Sequence, residues 1–154
     1  MPELVALSVP SSRFVDDLRR TWDDGDAVFP LDLRLAAPAR AAVLDAMRPA
    51  VVVDEEGERH RRSMALPVEP GDALVVATSG TTGEPRGVVL SHGAVRASAL
   101  ATSARIGIDA STDRWLACLP LSHVGGLSVV TRAIVTGTAV ELHAGFDAGA
   151  VEEA

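Results

Sequence analysis

The chain has 154 residues, of which 47% are hydrophobic and 23% charged, the balance of a soluble domain long enough to bury one core. Its formal net charge of −7 argues against a nucleic-acid partner, whose phosphates demand clustered positive charge. Aromatic content is only 3%, so the core must rest on Ala, Val and Leu, and no uninterrupted apolar run of about 18 residues offers a membrane span.

In chain order, Met1-Pro2-Glu3-Leu4 lacks the basic start and long apolar stretch of an export signal. Phe14, Val15, Leu18 and Trp22 fall at helical spacing, with Ser11 or Ser12 available as N-cap and Gly25 close to the end. A second helix is predicted from Pro38 to Met47, stopped before Pro49, and Ala50-Val51-Val52-Val53-Asp54 reads as a short buried strand. The cluster Arg59-His60-Arg61-Arg62 follows Asp54-Glu55-Glu56-Gly57-Glu58, whose acids cancel it. That stretch reads as a solvated, mobile loop in preference to an interaction tail.

A turn at Glu69-Pro70-Gly71-Asp72 feeds a strand over Ala73–Ala77, and Val88-Val89-Leu90 is β-like again. Ser91 is placed to cap an Ala-rich helix running through Arg105, with Gly107 marking its end. Trp115-Leu116-Ala117-Cys118-Leu119 is predicted as a central strand ended by Pro120. Gly125 and Gly126 lead into a helix from about Leu127 to Val135, stopped at Gly137, whose apolar run is broken by Arg132. Ala139-Val140-Glu141-Leu142 is another short strand. Strands alternating with helices favour an α/β fold, a mostly parallel sheet with flanking helices, read here as a single α/β unit over 1–154. Cys118 is alone and can form no internal disulfide. Its neighbours Leu116, Ala117 and Leu119 predict a buried thiol, and a reducing cytoplasm fits.

The segment with most chemical content is Ala77-Thr78-Ser79-Gly80-Thr81-Thr82-Gly83-Glu84-Pro85-Arg86-Gly87. Glycines let successive N–H groups turn toward one point, the hydroxyls of Thr78, Ser79, Thr81 and Thr82 add donors, and Arg86 adds a permanent positive charge, a combination suited to a polyphosphate. A Walker A loop needs a lysine and a following helix, but the chain has no lysine and Gly87 is followed by Val88-Val89-Leu90. A dinucleotide fingerprint fails on spacing. A plain hairpin connection needs only about two to five residues and no cluster of hydroxyls.

From Thr78 to Val88 this segment resembles the phosphate-binding loop of the adenylate-forming superfamily, which includes acyl-CoA synthetases and peptide-synthetase adenylation domains. The usual loop carries lysine where this one has Arg86, keeping the charge but replacing an ammonium with a planar fork. Leu119-Pro120-Leu121-Ser122-His123-Val124-Gly125-Gly126-Leu127 resembles the same superfamily's second signature, which borders the carboxylate pocket. The resemblance implies an incomplete amino-terminal portion of the large adenylation domain, with a phosphate loop at 77–87 and an acyl-pocket segment at 119–135.

It further implies a carboxylate activated by ATP and Mg2+ to an acyl-adenylate, then passed to CoA. Thr78, Ser79, Gly80, Thr81, Thr82, Gly83 and Arg86 would line the phosphate site. Thr82 is the foremost hydroxyl there, set against a β-branched residue that merely fills a strand end. His123, Gly125 and Gly126 would border the acyl group, although a histidine at such a junction is also satisfied by a backbone carbonyl. Arg132, seven residues after Gly125 and on the same helical face, needs an anionic partner or a route to water. In the ligases acting on o-succinylbenzoate in menaquinone synthesis an arginine at the matching place is associated with the substrate's second carboxylate, and the chain resembles that subgroup.

No metal ligand and no catalytic residue is expected within the chain. The superfamily's later adenine, ribose and hinge motifs and its catalytic lysine have no counterpart here, so turnover by the chain alone is not expected. The alternative is a non-catalytic ATP- or pyrophosphate-binding module, or a structural piece that needs a complementary chain. Expected partners are a small-molecule carboxylate, ATP and CoA, with no nucleic acid and no membrane span; a homodimer is compatible with the sequence.

Overall fold

Leu4-Val5-Ala6-Leu7 forms β1 (Leu4–Leu7), in which every residue is buried. An unbroken apolar tetrad of this kind suits a parallel strand covered on both faces, whereas a half-solvated strand alternates. The structure, a computed structural model, describes residues 1–79 and 85–154. Two compact units divide it, Met1–His92 and Gly93–Ala154.

In the first unit β1 is followed by α1 (Ser11–Asp23), β2 (Ala27–Pro30), α2 (Ala37–Met47), β3 (Val51–Val53), β4 (Arg59–Arg61), β5 (Asp72–Ser79) and β6 (Pro85–Ser91). The sheet order is β4-β3-β1-β2-β5-β6. β1 pairs in parallel with β2 and β3, and β2 pairs in parallel with β5. The outer pairs β3–β4 and β5–β6 are antiparallel. The predicted α/β fold, a mostly parallel sheet with flanking helices, is therefore present.

The step from β1 to β2 runs one way along the sheet and the step from β2 to β3 runs back past β1. With right-handed crossovers, α1 and α2 must then lie on opposite faces. The packing agrees. Leu4, Ala6, Ala27, Phe29, Leu31 and Val75 form one core cluster with Met47, Val43 and Leu44 of α2. Val5, Leu7 and Val28 are equally buried but outside that cluster, on the alternate face of strands that α1 contacts. Full burial of side chains of this size contributes roughly 1.5–3 kcal/mol each.

α1 buries Phe14, Asp17, Leu18 and Thr21; of the expected stripe Phe14 and Leu18 are buried while Val15 and Trp22 are half-buried, and Pro10, not Ser11 or Ser12, occupies the N-cap position. Proline supplies no side-chain cap, and the two serines fall inside the first turn. Trp22 donates its indole N–H to the Ala73 carbonyl at 2.8 Å, tying α1 to β5.

The basic cluster is a strand. Arg59–Arg61 pairs with Val51–Val53, although all three of its residues are exposed. Asp54 organises the turn that makes this possible: its carboxylate accepts from the Glu58 N–H at 2.8 Å and the Glu56 N–H at 3.1 Å, and meets His60 Nε2 at 2.6 Å. The hydrogen bond to His60 holds the Asp54 carboxyl below the ordinary carboxylate range. Arg61 forms a two-bond pair with Glu3 and Arg62 pairs with Asp45, so the expected mobile loop is replaced by a charge-compensated edge.

The second unit holds most of α3 (His92–Ile106), then β7 (Arg114–Ala117), α4 (Val124–Thr136), β8 (Ala139–Leu142) and α5 (Ala148–Glu153). Among the described residues β7 pairs only with β8, in parallel from Arg114↔Ala139 to Ala117↔Leu142. The central strand predicted at Trp115–Leu119 is thus shorter and stands in a two-stranded sheet. Cys118 falls after its last residue and is half-buried, not enclosed as expected. Gly137 ends α4 at φ 71°, a left-handed position that favours glycine.

Gly87 in β6 marks the closest packing between the sheet edge and α2. A side chain there would bring its Cβ to 2.9 Å from both Met47 Sδ and Val75 Cγ1. Gly87→Val is expected to cost about 1–3 kcal/mol in urea unfolding. Met47→Ala in the same chain should recover part of that loss, and an unchanged midpoint in Gly87→Val would contradict this packing.

Candidate functional site

The phosphate-loop residues that the structure describes stand at the far end of the β5–β6 pair. Thr78 is opposite Arg86 and Ser79 opposite Pro85 in its register. The Thr78 hydroxyl donates to the Arg86 carbonyl at 3.3 Å, so part of its hydrogen-bonding capacity closes the pair itself. Val75 and Ala77 belong to the core beneath α2, and by strand alternation Thr78 and Arg86 stand on the opposite face, where both are exposed. Among the described residues no carboxylate pairs with the Arg86 guanidinium. Gly80, Thr81, Thr82 and Gly83 lie outside the described residues.

His123, Gly125, Gly126 and Arg132 belong to the second unit, where α4 brings them onto one element. His123 is its N-cap residue, with extended backbone and no side-chain capping bond, and its carbonyl accepts from the Leu127 N–H at 3.0 Å. The helix starts at Val124, earlier than the sequence predicts, so both glycines lie inside the first turn. Gly125 is exposed. Gly126 is buried because the chain's own backbone crosses it: a Cβ there would strike the carbonyls of Leu119 and Pro120.

Arg132 is half-buried two turns along. Its guanidinium carbon lies 5.4 Å from the centroid of the Trp115 ring, a cation–π contact between α4 and β7. Its Nε is buried without a hydrogen-bond partner, and so are Trp115 Nε1 and Ser122 Oγ. The carboxylate of the small sheet is committed elsewhere. Glu141 meets His143 Nε2 at 3.1 Å and Arg114 at 3.4 Å, and His143 above all, then Arg114, holds it below its usual range. Among the described residues no acid pairs with Arg132.

Trp115 is the residue that sequence reasoning missed. Its helix partner is 17 positions away, and only the packing of α4 on β7 reveals the pair. Among the described residues no three His, Cys, Asp or Glu side chains gather as a metal site. No helix among the described residues is long and apolar enough to cross a membrane.

The family described as AMP-binding enzyme matches residues 34–153. A 2-succinylbenzoate–CoA ligase of Bacillus mycoides is 42% identical over 80 residues, 52% of this chain and 16% of that protein. The solved o-succinylbenzoate coenzyme A synthetase of Bacillus subtilis in complex with AMP superposes with a TM-score of 0.80 at 23% identity, over 98% of this chain and 45% of that one. The same synthetase in complex with ATP and magnesium superposes at 0.79 and 22% identity, over 98% of this chain and 47% of that one. The chain thus spans less than half the length of the relatives it matches.

The two adjacent glycines of α4 should respond differently to substitution. Gly126→Ala drives a methyl into backbone carbonyls and is expected to cost about 1–3 kcal/mol or more. Gly125→Ala meets only Leu119 Cδ1 at 3.5 Å; it should stay within about 0.5 kcal/mol, because alanine also favours the helix. Equal costs in chemical denaturation would show that Leu119 and Pro120 do not press on the helix.

Proposed function

The chain belongs to the AMP-binding enzyme family, and on that premise we propose that it is the amino-terminal part of an ATP-dependent carboxylate–CoA ligase acting on o-succinylbenzoate. In that reaction a carboxylate oxygen attacks the α-phosphorus of ATP and pyrophosphate leaves. The CoA sulfur then attacks the acyl carbon and AMP leaves.

On this reading the first unit holds the phosphates. Thr78, Ser79, Gly80, Thr81, Thr82, Gly83 and Arg86 supply the donors and the charge. Arg86 fits an anionic ligand because it is exposed beside the glycine-rich segment and carries no ion pair with a described residue. Magnesium would neutralise phosphate charge during the reaction, and no residue of this chain is assigned to hold it. The second unit serves the acyl group, with His123, Gly125 and Gly126 beside the reacting carboxylate and Arg132 on the second one.

Arg132 is the observation that carries the substrate assignment. A half-buried guanidinium, backed by an aromatic ring and lacking an acidic partner among the described residues, has the chemistry of a carboxylate receptor. A second reading, an ATP- or pyrophosphate-binding module without turnover of its own, is favoured by the absence of any lysine from the chain.

The chain alone is expected to give no ATP–pyrophosphate exchange with o-succinylbenzoate, and robust exchange would refute its dependence on further motifs. Supplied with a segment that carries those motifs, it should form the thioester; nucleotide binding without thioester would favour the module. In the complemented enzyme Arg132→Ala should raise KM for o-succinylbenzoate about tenfold or more, and less than about twofold for benzoylpropionate, which lacks the ring carboxylate. Equal effects on the two acids would end the substrate assignment.

A further inference from the structure

Arg132 is held in place by a neighbouring ring, with no counter-ion among the described residues. Its guanidinium carbon is 5.4 Å from the Trp115 centroid, inside the range of about 6 Å at which the face of an indole attracts a cation. Trp115 is itself anchored, through its strand pairing with Val140. An arginine on a helix otherwise has many rotamers and ordinarily snorkels to water. Held over a fixed ring, its planar fork has fewer orientations to sample, which favours two-point recognition of a carboxylate.

A second observation concerns donors. Arg132 Nε and Trp115 Nε1 are both buried and without hydrogen-bond partners, and both groups can only donate. Glu141, the acid of the adjoining strand, is engaged by His143 and Arg114. Among the described residues the pair is therefore a cation with two unmatched donors and no acceptor, and buried polar groups of native proteins rarely stay unmatched.

We propose that Trp115 is a positioning and specificity residue: its ring fixes the Arg132 guanidinium, and its indole N–H adds a donor, so that the two together receive the second carboxylate of a dicarboxylic acyl substrate. The inference rests on the acyl role proposed for Arg132. It adds that selectivity between dicarboxylic and monocarboxylic acids resides in a pair of residues from β7 and α4, of which the tryptophan never touches the reacting carboxylate.

The test uses the 15N-labelled full chain, whose two tryptophans give two indole N–H signals. Trp22, bonded to Ala73 in the other unit, serves as the internal control. Titration with o-succinylbenzoate should move the Trp115 signal, and titration with benzoylpropionate should move it far less. Trp115→Leu should weaken o-succinylbenzoate binding about tenfold and benzoylpropionate binding less than about twofold, with Trp115→Phe, which keeps a ring but no N–H, between the two.

If Arg132→Met removes the preference for the dicarboxylate while Trp115→Leu keeps it, the role of Trp115 is overturned and that of Arg132 stands. If Arg132→Met affects both acids equally, or neither acid binds saturably, the acyl assignment falls and the inference with it. Should Trp115→Leu fail to fold, the wild-type chain and Trp115→Phe decide: a Trp115 signal unmoved at saturation, with full preference retained in Trp115→Phe, overturns the proposal.

Discussion

The antiparallel pairing of β5 with β6, from Asp72↔Ser91 to Ser79↔Pro85, is the constraint on which the candidate phosphate site depends. β5 joins the parallel core through Val28↔Leu74 and buries Ala73, Leu74, Val75 and Val76. It therefore inherits the rigidity of a sheet covered on both faces and passes that rigidity to β6, which is mostly exposed and could not hold itself. Gly87 lets α2 close down on β6 through Met47, so β6 is fixed from the side as well as along its ladder. Thr78 and Arg86 are consequently placed by a packed core even though both are exposed. Functional groups on the last residues of a strand pair are positioned more sharply than the same groups within a loop.

Charge is handled differently in the two units. In the first, two arginines at the sheet edge are matched with nearby acids, Arg61 with Glu3 and Arg62 with Asp45, and Asp54 ties the intervening turn to His60. Exposed pairs of this kind contribute little stability, but they cover an open strand edge with charge and discourage pairing with another sheet. In the second, Glu141 is paired with His143 and Arg114, while Arg132 is given an aromatic ring. A guanidinium stabilised by a ring keeps all five N–H donors available, whereas a two-bond carboxylate pair engages two of them.

On the function proposed above, which starts from membership of the AMP-binding enzyme family, the two units would divide the labour. The first unit presents an arginine beside a glycine- and hydroxyl-rich segment, chemistry suited to phosphates. The second presents a histidine at a helix start and a shelved arginine on the same helix, chemistry suited to carboxylates. Neither unit carries a lysine, and the chain spans less than half the length of the solved relatives it matches.

The amino-acid order by itself determined the α/β class, the helices at Phe14–Trp22, Pro38–Met47 and Leu127–Val135, and both segments of chemical interest. Apolar periodicity and glycine-hydroxyl composition are local properties and need no partner to be read. Burial from both sides obscured β1 and β2, since four-residue apolar runs such as Leu4-Val5-Ala6-Leu7 carry no period. The edge strand Arg59–Arg61 was hidden by its charge, because its pairing depends on Asp54 and on β3 and not on its own propensity. Only the tertiary structure decided that Gly126 lies beneath the chain's own carbonyls, that Gly87 makes room for Met47, and that Trp115 supports Arg132. Gly87 and Met47, like Trp115 and Arg132, are distant in the chain and meet where a helix settles on a strand, while Gly126 meets the chain just before its own helix; no local pattern encodes where these contacts fall.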